Sequence, residues 1–203
     1  MNKRHHEIKC EASGVFACFT RPDSGSGKRS YEVPTYSSVR GILEAVYWSK
    51  ETIVIPRKVE ICSPISFYEY NVNYLGPSRK PDDVKTGNSM SVGDSILSNV
   101  CYRIYADIHD KGDTYGPCHK HKEIFDRRIK RGSFYSWPYF GLKEFSCDYI
   151  GEFRESTTVE TSLNFVISAP LYHDKFFPHA PNGAVFQEAS VKNGVLEYIR
   201  IIK

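Results

Sequence analysis

The stretch "VCYRIYADI" constrains the fold of this chain more than any other. In it Val100, Tyr102, Ile104, Ala106 and Ile108 alternate with Cys101, Arg103, Tyr105 and Asp107. Side chains two residues apart share one face of a strand, so this alternation predicts a strand with one face in a core. That face needs an apolar cover, and a candidate lies upstream. In "SSVRGILEAVYW", residues 37–48, Val39, Ile42, Leu43, Val46 and Tyr47 recur at helical spacing, behind serines suited to capping. With 203 residues, 40% of them hydrophobic, the chain is long enough to bury a sizeable core.

The remaining segments can be ordered around these two. "EIKCEA" alternates Ile8, Cys10 and Ala12 with polar neighbours, and "TRPDSGSGKRSYEVPT" reads as a loop. "TIVIPRKVEICSPISF" is rich in β-branched residues and predicts a strand bent at Pro56. Residues 69–99 hold few periodic apolar positions and read as a long loop, a feature usually functional or mobile. "CHKHKEIFDRRIKRG", residues 118–132, predicts a helix with Ile124, Phe125 and Ile129 inward, Pro117 before it and Gly132 after it. "KEFSCDYI" adds a strand through Phe145, Cys147 and Tyr149. The order β-α-β-β-α-β predicts an α+β, ferredoxin-like (RRM-like) domain over residues 1–150. Residues 151–203 read as a small antiparallel β subdomain, with a hairpin turning at Asn193-Gly194.

A net charge of +3 does not by itself demand an anionic partner. The charge is uneven, however: between His119 and Gly132, six Lys and Arg face only Glu123 and Asp126. The six cysteines lack a C-x-x-C pair and read as reduced thiols. "MNKRHHEIKC" has no apolar signal core and no run reaches membrane-spanning length, so the expectation is a cytoplasmic protein with no membrane partner. Neither His119 with His121, about 200° apart on a helix, nor Cys118 beside them forms a zinc pattern, so no metal or other cofactor is expected.

The element order has a further consequence. Each helix of such a fold runs back along the strand before it, so the two helices are antiparallel. The end of the first, at Tyr47 and Trp48, then lies near the start of the second, at Lys120 and His121. A helix start is a phosphate site, and histidine, with an ordinary pKa of about 6.5, exchanges protons near neutrality. A phenol, an amine and an imidazole around one phosphate suffice for RNA cleavage by the ribose 2′-OH without a metal. Pattern alone leaves blander alternatives standing: Tyr47 as core, the histidines as solvated residues, and the basic run as a solvated face.

At these residues the chain resembles a known family. "FTRPDSGSGKRSYEVPTYSSVRGILEAVYW" and "KHKEIFDRRIKRGSFYSWPYFGLKEF" are similar to the two signatures of the fifth CRISPR-associated protein family, in its type I-C (Dvulg) subtype of the RAMP superfamily. The resemblance implies an endoribonuclease that cuts the repeat stem-loop of CRISPR precursor RNA without a metal, leaving a 2′,3′-cyclic phosphate and a 5′-OH. It implies that the enzyme then stays on the 5′ handle of the crRNA, beside the backbone and large subunits of the type I-C surveillance complex. The family's catalytic Tyr, Lys and His carry over to Tyr47, Lys120 and His121, with His119 a second candidate beside His121. Arg21, Lys28, Arg29, Arg40, Arg127, Arg128 and Arg131 are the expected RNA-binding residues. The alternative is a non-catalytic subunit that caps the crRNA handle and contacts target DNA. "FYEYNVNYLGPSRK" and "FVISAPLYHDKFF" depart from the family pattern, so repeat specificity is expected in that loop and in the tail.

Overall fold

A computed structural model describes residues 6–25, 27–74, 81–85, 90–110, 118–168, 171–172, 185–186 and 188–198. In chain order its elements are β1 (His6–Ala17), α1 (Tyr36–Val46), β2 (Thr52–Ile61), β3 (Phe67–Tyr74), α2 (Pro81–Lys85) and β4 (Met90–Asp110). There follow α3 (Cys118–Arg131), β5 (Tyr149–Gly151), β6 (Phe165–Ile167), β7 (Leu171–Tyr172), β8 (Val185–Phe186), β9 (Ala189–Lys192) and β10 (Val195–Glu197). This is a mixed helix-and-strand protein built on an antiparallel sheet.

The alternating stretch is the spine of that sheet. β4 pairs with β1 on one side and β2 on the other, and β5 pairs with the far edge of β1, giving the order β5-β1-β4-β2. All these pairings are antiparallel. Val100, Tyr102, Ile104, Ala106 and Ile108 are all buried, as the period of two requires. With Ile8, Cys10 and Ala12 of β1 they form one core with Val39, Ile42, Leu43 and Val46 of α1 and Phe125 and Ile129 of α3. The register of β2 slips between Pro56 and Lys58, where proline lacks the N–H that the ladder needs.

Residues 69–99 are not one long loop. β3 pairs with the first part of β4 in register from Phe67↔Leu97 to Tyr74↔Met90, so much of the segment is a hairpin arm. "FYEYNVNY" alternates tyrosine and valine with polar residues, and tyrosine favours strands even where it stays in solvent. Tyr68 and Val72 are exposed, so counting apolar core positions missed the strand. The strand expected in "KEFSCDYI" is also shorter: only its last residues enter β5, although Phe145 and Cys147 are buried.

The opposite face of the sheet is covered as well. Glu11 of β1 is fully buried beneath residues 153–157, accepting from Arg154 Nε at 2.5 Å and Thr157 Oγ1 at 2.9 Å. Arg103 of β4 reaches the same carboxylate at 3.4 Å and donates to the carbonyls of Arg154 and Thr157. In the tail, β10 pairs with β2, β9 with β10 and β6 with β9, all antiparallel, so the sheet continues outward from β2. The hairpin turn is where the sequence puts it. Asn193 and Gly194 have φ of 48° and 74°, and a Cβ on Gly194 would lie 2.4 Å from the Glu160 carbonyl oxygen. Pro117 and most of residues 173–187 lie outside the described residues. Among the described residues no helix is long and apolar enough to cross a membrane.

Candidate active site

Helix α1 begins at Thr35, whose side chain accepts from the Ser38 N–H; the serines expected as caps lie within the first turn. It ends at Tyr47, which has left the helix with φ −147° and ψ 120° while its N–H still bonds to the Leu43 carbonyl. This departure resolves the ambiguity of the sequence. An uninterrupted helix would point Tyr47 along the apolar stripe with Val39 and Val46; the extended backbone swings the phenol toward α3.

There it meets His121. The Tyr47 hydroxyl lies 2.7 Å from His121 Nδ1, and the ring centroids are 5.9 Å apart. The imidazole side chain is only 8% exposed, and its Nε2 lies 3.5 Å from the exposed Glu51 carboxylate. An Nε2–H facing Glu51 leaves Nδ1 with a lone pair to accept from the phenol. Lys120 precedes His121 on α3 and is exposed. His119 is also exposed, and Cys118 turns inward to donate to the Ile108 carbonyl at 3.1 Å. The three neighbours Cys118, His119 and His121 therefore serve different surroundings. Among the described residues no cluster of His, Cys, Asp or Glu is placed to hold a metal ion.

Arg128 joins the two helices. It stands two turns after His121, on nearly the same face of α3. Its guanidinium donates to the Val46 carbonyl at 2.8 Å and lies over the Tyr47 ring at 5.3 Å. A cation at a helix C-terminus satisfies a carbonyl with no partner within the helix and complements the dipole. Arg128 therefore fixes the point from which Tyr47 departs. The Tyr135 and Ser136 N–H groups both donate to the Ala45 carbonyl, at 2.9 and 3.0 Å, tying the loop after α3 to the same helix end.

The other basic residues are spread more widely. Lys120, Arg127 and Arg131 fall within about 20° of one line along α3, and all three are exposed. Arg21 pairs with Asp23 at 2.8 Å, Lys28 with Glu144 at 3.0 Å, and Arg40 with Glu44 at 2.8 Å. Arg29 is exposed beside Ser95 of β4. The structure thus brings together Tyr47, His121 and Arg128, with Lys120 next in sequence. Arg21, Lys28 and Arg40 are instead held by the carboxylates of Asp23, Glu144 and Glu44. Glu51 and the capping role of Arg128 were missed in the sequence. Both depend on where β2 starts and α1 stops, which no local pattern marks.

Comparison with known proteins points one way. A family described as CRISPR-associated protein (Cas_Cas5), in its Cas5d form, matches residues 7–177. A protein of Thermus thermophilus named CRISPR pre-crRNA endoribonuclease Cas5d is 32% identical over 142 residues, 68% of this chain and 61% of that protein. The chain thus matches about three fifths of that relative's length. A protein of the same name from Mannheimia succiniciproducens is 30% identical over 216 residues, 95% of this chain and 94% of its own. A solved structure titled as a CRISPR-associated protein superposes with a TM-score of 0.74 at 20% identity, covering 98% of this chain and 95% of that one. A functionally uncharacterized Streptococcus mutans protein superposes at 0.72 with 17% identity, over 98% and 95% of the two chains. At these identities the structural likeness describes the fold alone.

Proposed function

This chain belongs to the Cas5 family of CRISPR-associated proteins, and from that membership we propose that it is an endoribonuclease cutting the repeat stem-loop of CRISPR precursor RNA. The observation that carries the reading is the hydrogen bond between Tyr47 and His121 at the meeting of α1 and α3. Two similar proteins bear the name of pre-crRNA endoribonuclease, which supports the choice of substrate.

The chemistry follows from the groups present. The ribose 2′-oxygen forms a bond to phosphorus and gives up its proton, while the bond to the 5′-oxygen breaks and that oxygen takes a proton. The products are a 2′,3′-cyclic phosphate and a 5′-OH. No metal is required, provided a proton relay and a positive charge are at hand. In the tautomer above, the phenol accepts the 2′ proton as its own passes to His121 Nδ1. Run backwards, the same relay protonates the 5′-oxygen. Lys120 faces the phosphorane as a point charge, and Glu51 holds the imidazole tautomer. A substrate with sulfur in place of the bridging 5′-oxygen separates the two directions, because a thiolate leaves without an acid. Recovery of His121→Ala on that substrate assigns the acid role, and no recovery assigns the base role.

The basic stripe of Lys120, Arg127 and Arg131 is proposed to track the RNA backbone, with Arg21, Lys28, Arg29 and Arg40 contacting more distant phosphates. The cleaved 5′ handle is proposed to stay bound, with the backbone and large subunits of a type I-C surveillance complex as further partners. The unit up to residue 150 is read as ferredoxin-like, a reading supported by the order β5-β1-β4-β2 with α1 after β1 and α3 after β4. Residues 151–203 are read as a β subdomain that extends this sheet. A non-catalytic capping subunit, able to contact target DNA, is the second reading, and the burial of His121 is what favours it. Repeat RNA with a 2′-deoxy scissile nucleotide, compared with native RNA, decides between them. The nuclease cuts only the native form and binds both; the cap binds both and cuts neither.

A further inference from the structure

At the end of α1, starting from the residue after Tyr47, stands an aromatic surface that the proton chemistry does not use. Trp48, the next residue after Tyr47, is 42% exposed, Tyr135 is 64% exposed and Trp137 is 61% exposed. The Trp48 and Tyr135 rings lie with centroids 6.1 Å apart and planes tilted by 32°. Trp137 is braced edge-on by Phe134, with centroids at 5.5 Å. These rings are not on a loose loop: the bonds from Tyr135 and Ser136 to Ala45 fix it to the end of α1. Large aromatic faces held rigidly in water mark a place where something flat or apolar docks.

We infer that Trp48 and Tyr135 form a stacking platform for an unpaired RNA base, that of the nucleotide beside the cleaved phosphate. The inference rests on the endoribonuclease reading and adds to it how the substrate is posed. The attack demands such a platform. In a stacked A-form helix the 2′-oxygen lies beside its own phosphate, out of line with the 5′-oxygen that must leave. Bringing the two into line twists the nucleotide out of the stack and exposes its base to water. An aromatic face one residue from the phenol recovers that lost stacking, the usual way proteins hold unstacked RNA bases. The surroundings fit RNA better than a protein partner. Lys50 is exposed two residues after Trp48, and Lys120 and Arg127 are exposed on α3, the helix that leads into the Tyr135 loop, whereas the centre of a protein interface is depleted of charge.

The test crosses two proteins with three RNAs. Wild-type protein and the double variant Trp48→Ala/Tyr135→Ala are each assayed on native repeat RNA and on RNA abasic at the nucleotide 5′ or 3′ to the scissile bond. Stacking of one base on an aromatic ring predicts a loss of roughly five- to 150-fold for the variant on native RNA, in cleavage rate or affinity. On one of the two abasic RNAs the variant should lose little more, because the base that it would stack is already gone. Trp48→Phe/Tyr135→Phe should keep most of the wild-type value, which separates stacking from folding. Equal losses on native and both abasic RNAs, or no loss at all, overturn the platform. Unchanged RNA handling with loss of binding to neighbouring protein subunits overturns it too, in favour of a protein partner. Should the wild type never cut, the comparison is read in affinity for 2′-deoxy RNA, so failure of the nuclease reading remains distinct from failure of the platform.

Discussion

The phenol oxygen of Tyr47 lies 2.7 Å from Nδ1 of His121, across 74 residues of chain. Neither position is local to the other; the pair forms where the end of α1 meets the first turn of α3. Glu51 faces the other imidazole nitrogen at 3.5 Å, and with the proton on Nε2 the Nδ1 lone pair accepts from the phenol.

Removing either end of this pair should silence cleavage while leaving binding in place. His121→Ala and Tyr47→Phe are each expected to lower single-turnover cleavage by about 10²- to 10⁴-fold, the usual worth of a positioned proton-transfer group. Affinity for the repeat, measured on 2′-deoxy RNA, should stay within about threefold, because phosphate contacts carry most of the binding. His119→Ala should cut at close to the wild-type rate, since that side chain is exposed and turned to other surroundings.

Arg128→Ala should act on both stability and rate. Losing a charged bond to the Val46 carbonyl is expected to cost about 1–2 kcal/mol, read as a lower urea midpoint at unchanged slope. Cleavage should fall with affinity held, because the end of α1 no longer fixes Tyr47. A variant that loses affinity and keeps its rate would instead make Arg128 a plain phosphate contact.

The fold was legible where pattern and topology agree. The alternation through Val100–Ile108, the apolar stripe of α1 and the Asn193-Gly194 turn each carry their geometry in a few adjacent residues. From the order of these elements the approach of Tyr47 to His121 followed without coordinates; Lys120 is next in sequence and exposed. What escaped depends on distance or on exposed strand formers. β3 was hidden because Tyr68 and Val72 stay exposed, and Glu51 and Arg128 take their roles from groups far off in sequence. The departure of Tyr47 from α1 has no breaker of its own in the sequence. Its backbone turns at the point where Arg128 and the loop at Tyr135 bond to the last carbonyls of the helix.

Glu11 predicts a pH dependence of stability. Burial pushes its carboxyl up, but hydrogen bonds from Arg154 and Thr157 outweigh that and hold it below the ordinary carboxylate range. A value lowered in the folded state means stability that is fully present above the ordinary range and is lost as pH falls through the folded value. Glu11→Gln should therefore lower stability near neutrality by about 3 kcal/mol or more, as Arg154 and Arg103 lose a buried partner. Its melting temperature should also fall less than that of the wild type between neutral and acid pH. Parallel curves for the two proteins would remove Glu11 from the acid response.

Salt should weaken RNA binding steeply. Arg127→Ala and Arg131→Ala should each reduce the slope of log affinity against log salt by about one, across repeat sequences alike. A change confined to one sequence would assign these side chains to base reading.

The most direct measurement is single-turnover cleavage of a repeat stem-loop RNA in EDTA, with the new RNA ends identified chemically. The account predicts that the wild type cuts once, leaving a 2′,3′-cyclic phosphate and a 5′-OH, and that Tyr47→Phe and His121→Ala bind the same RNA uncut. Cutting that stops in EDTA, cutting of 2′-deoxy RNA, or a His121→Ala variant as fast as the wild type would contradict it.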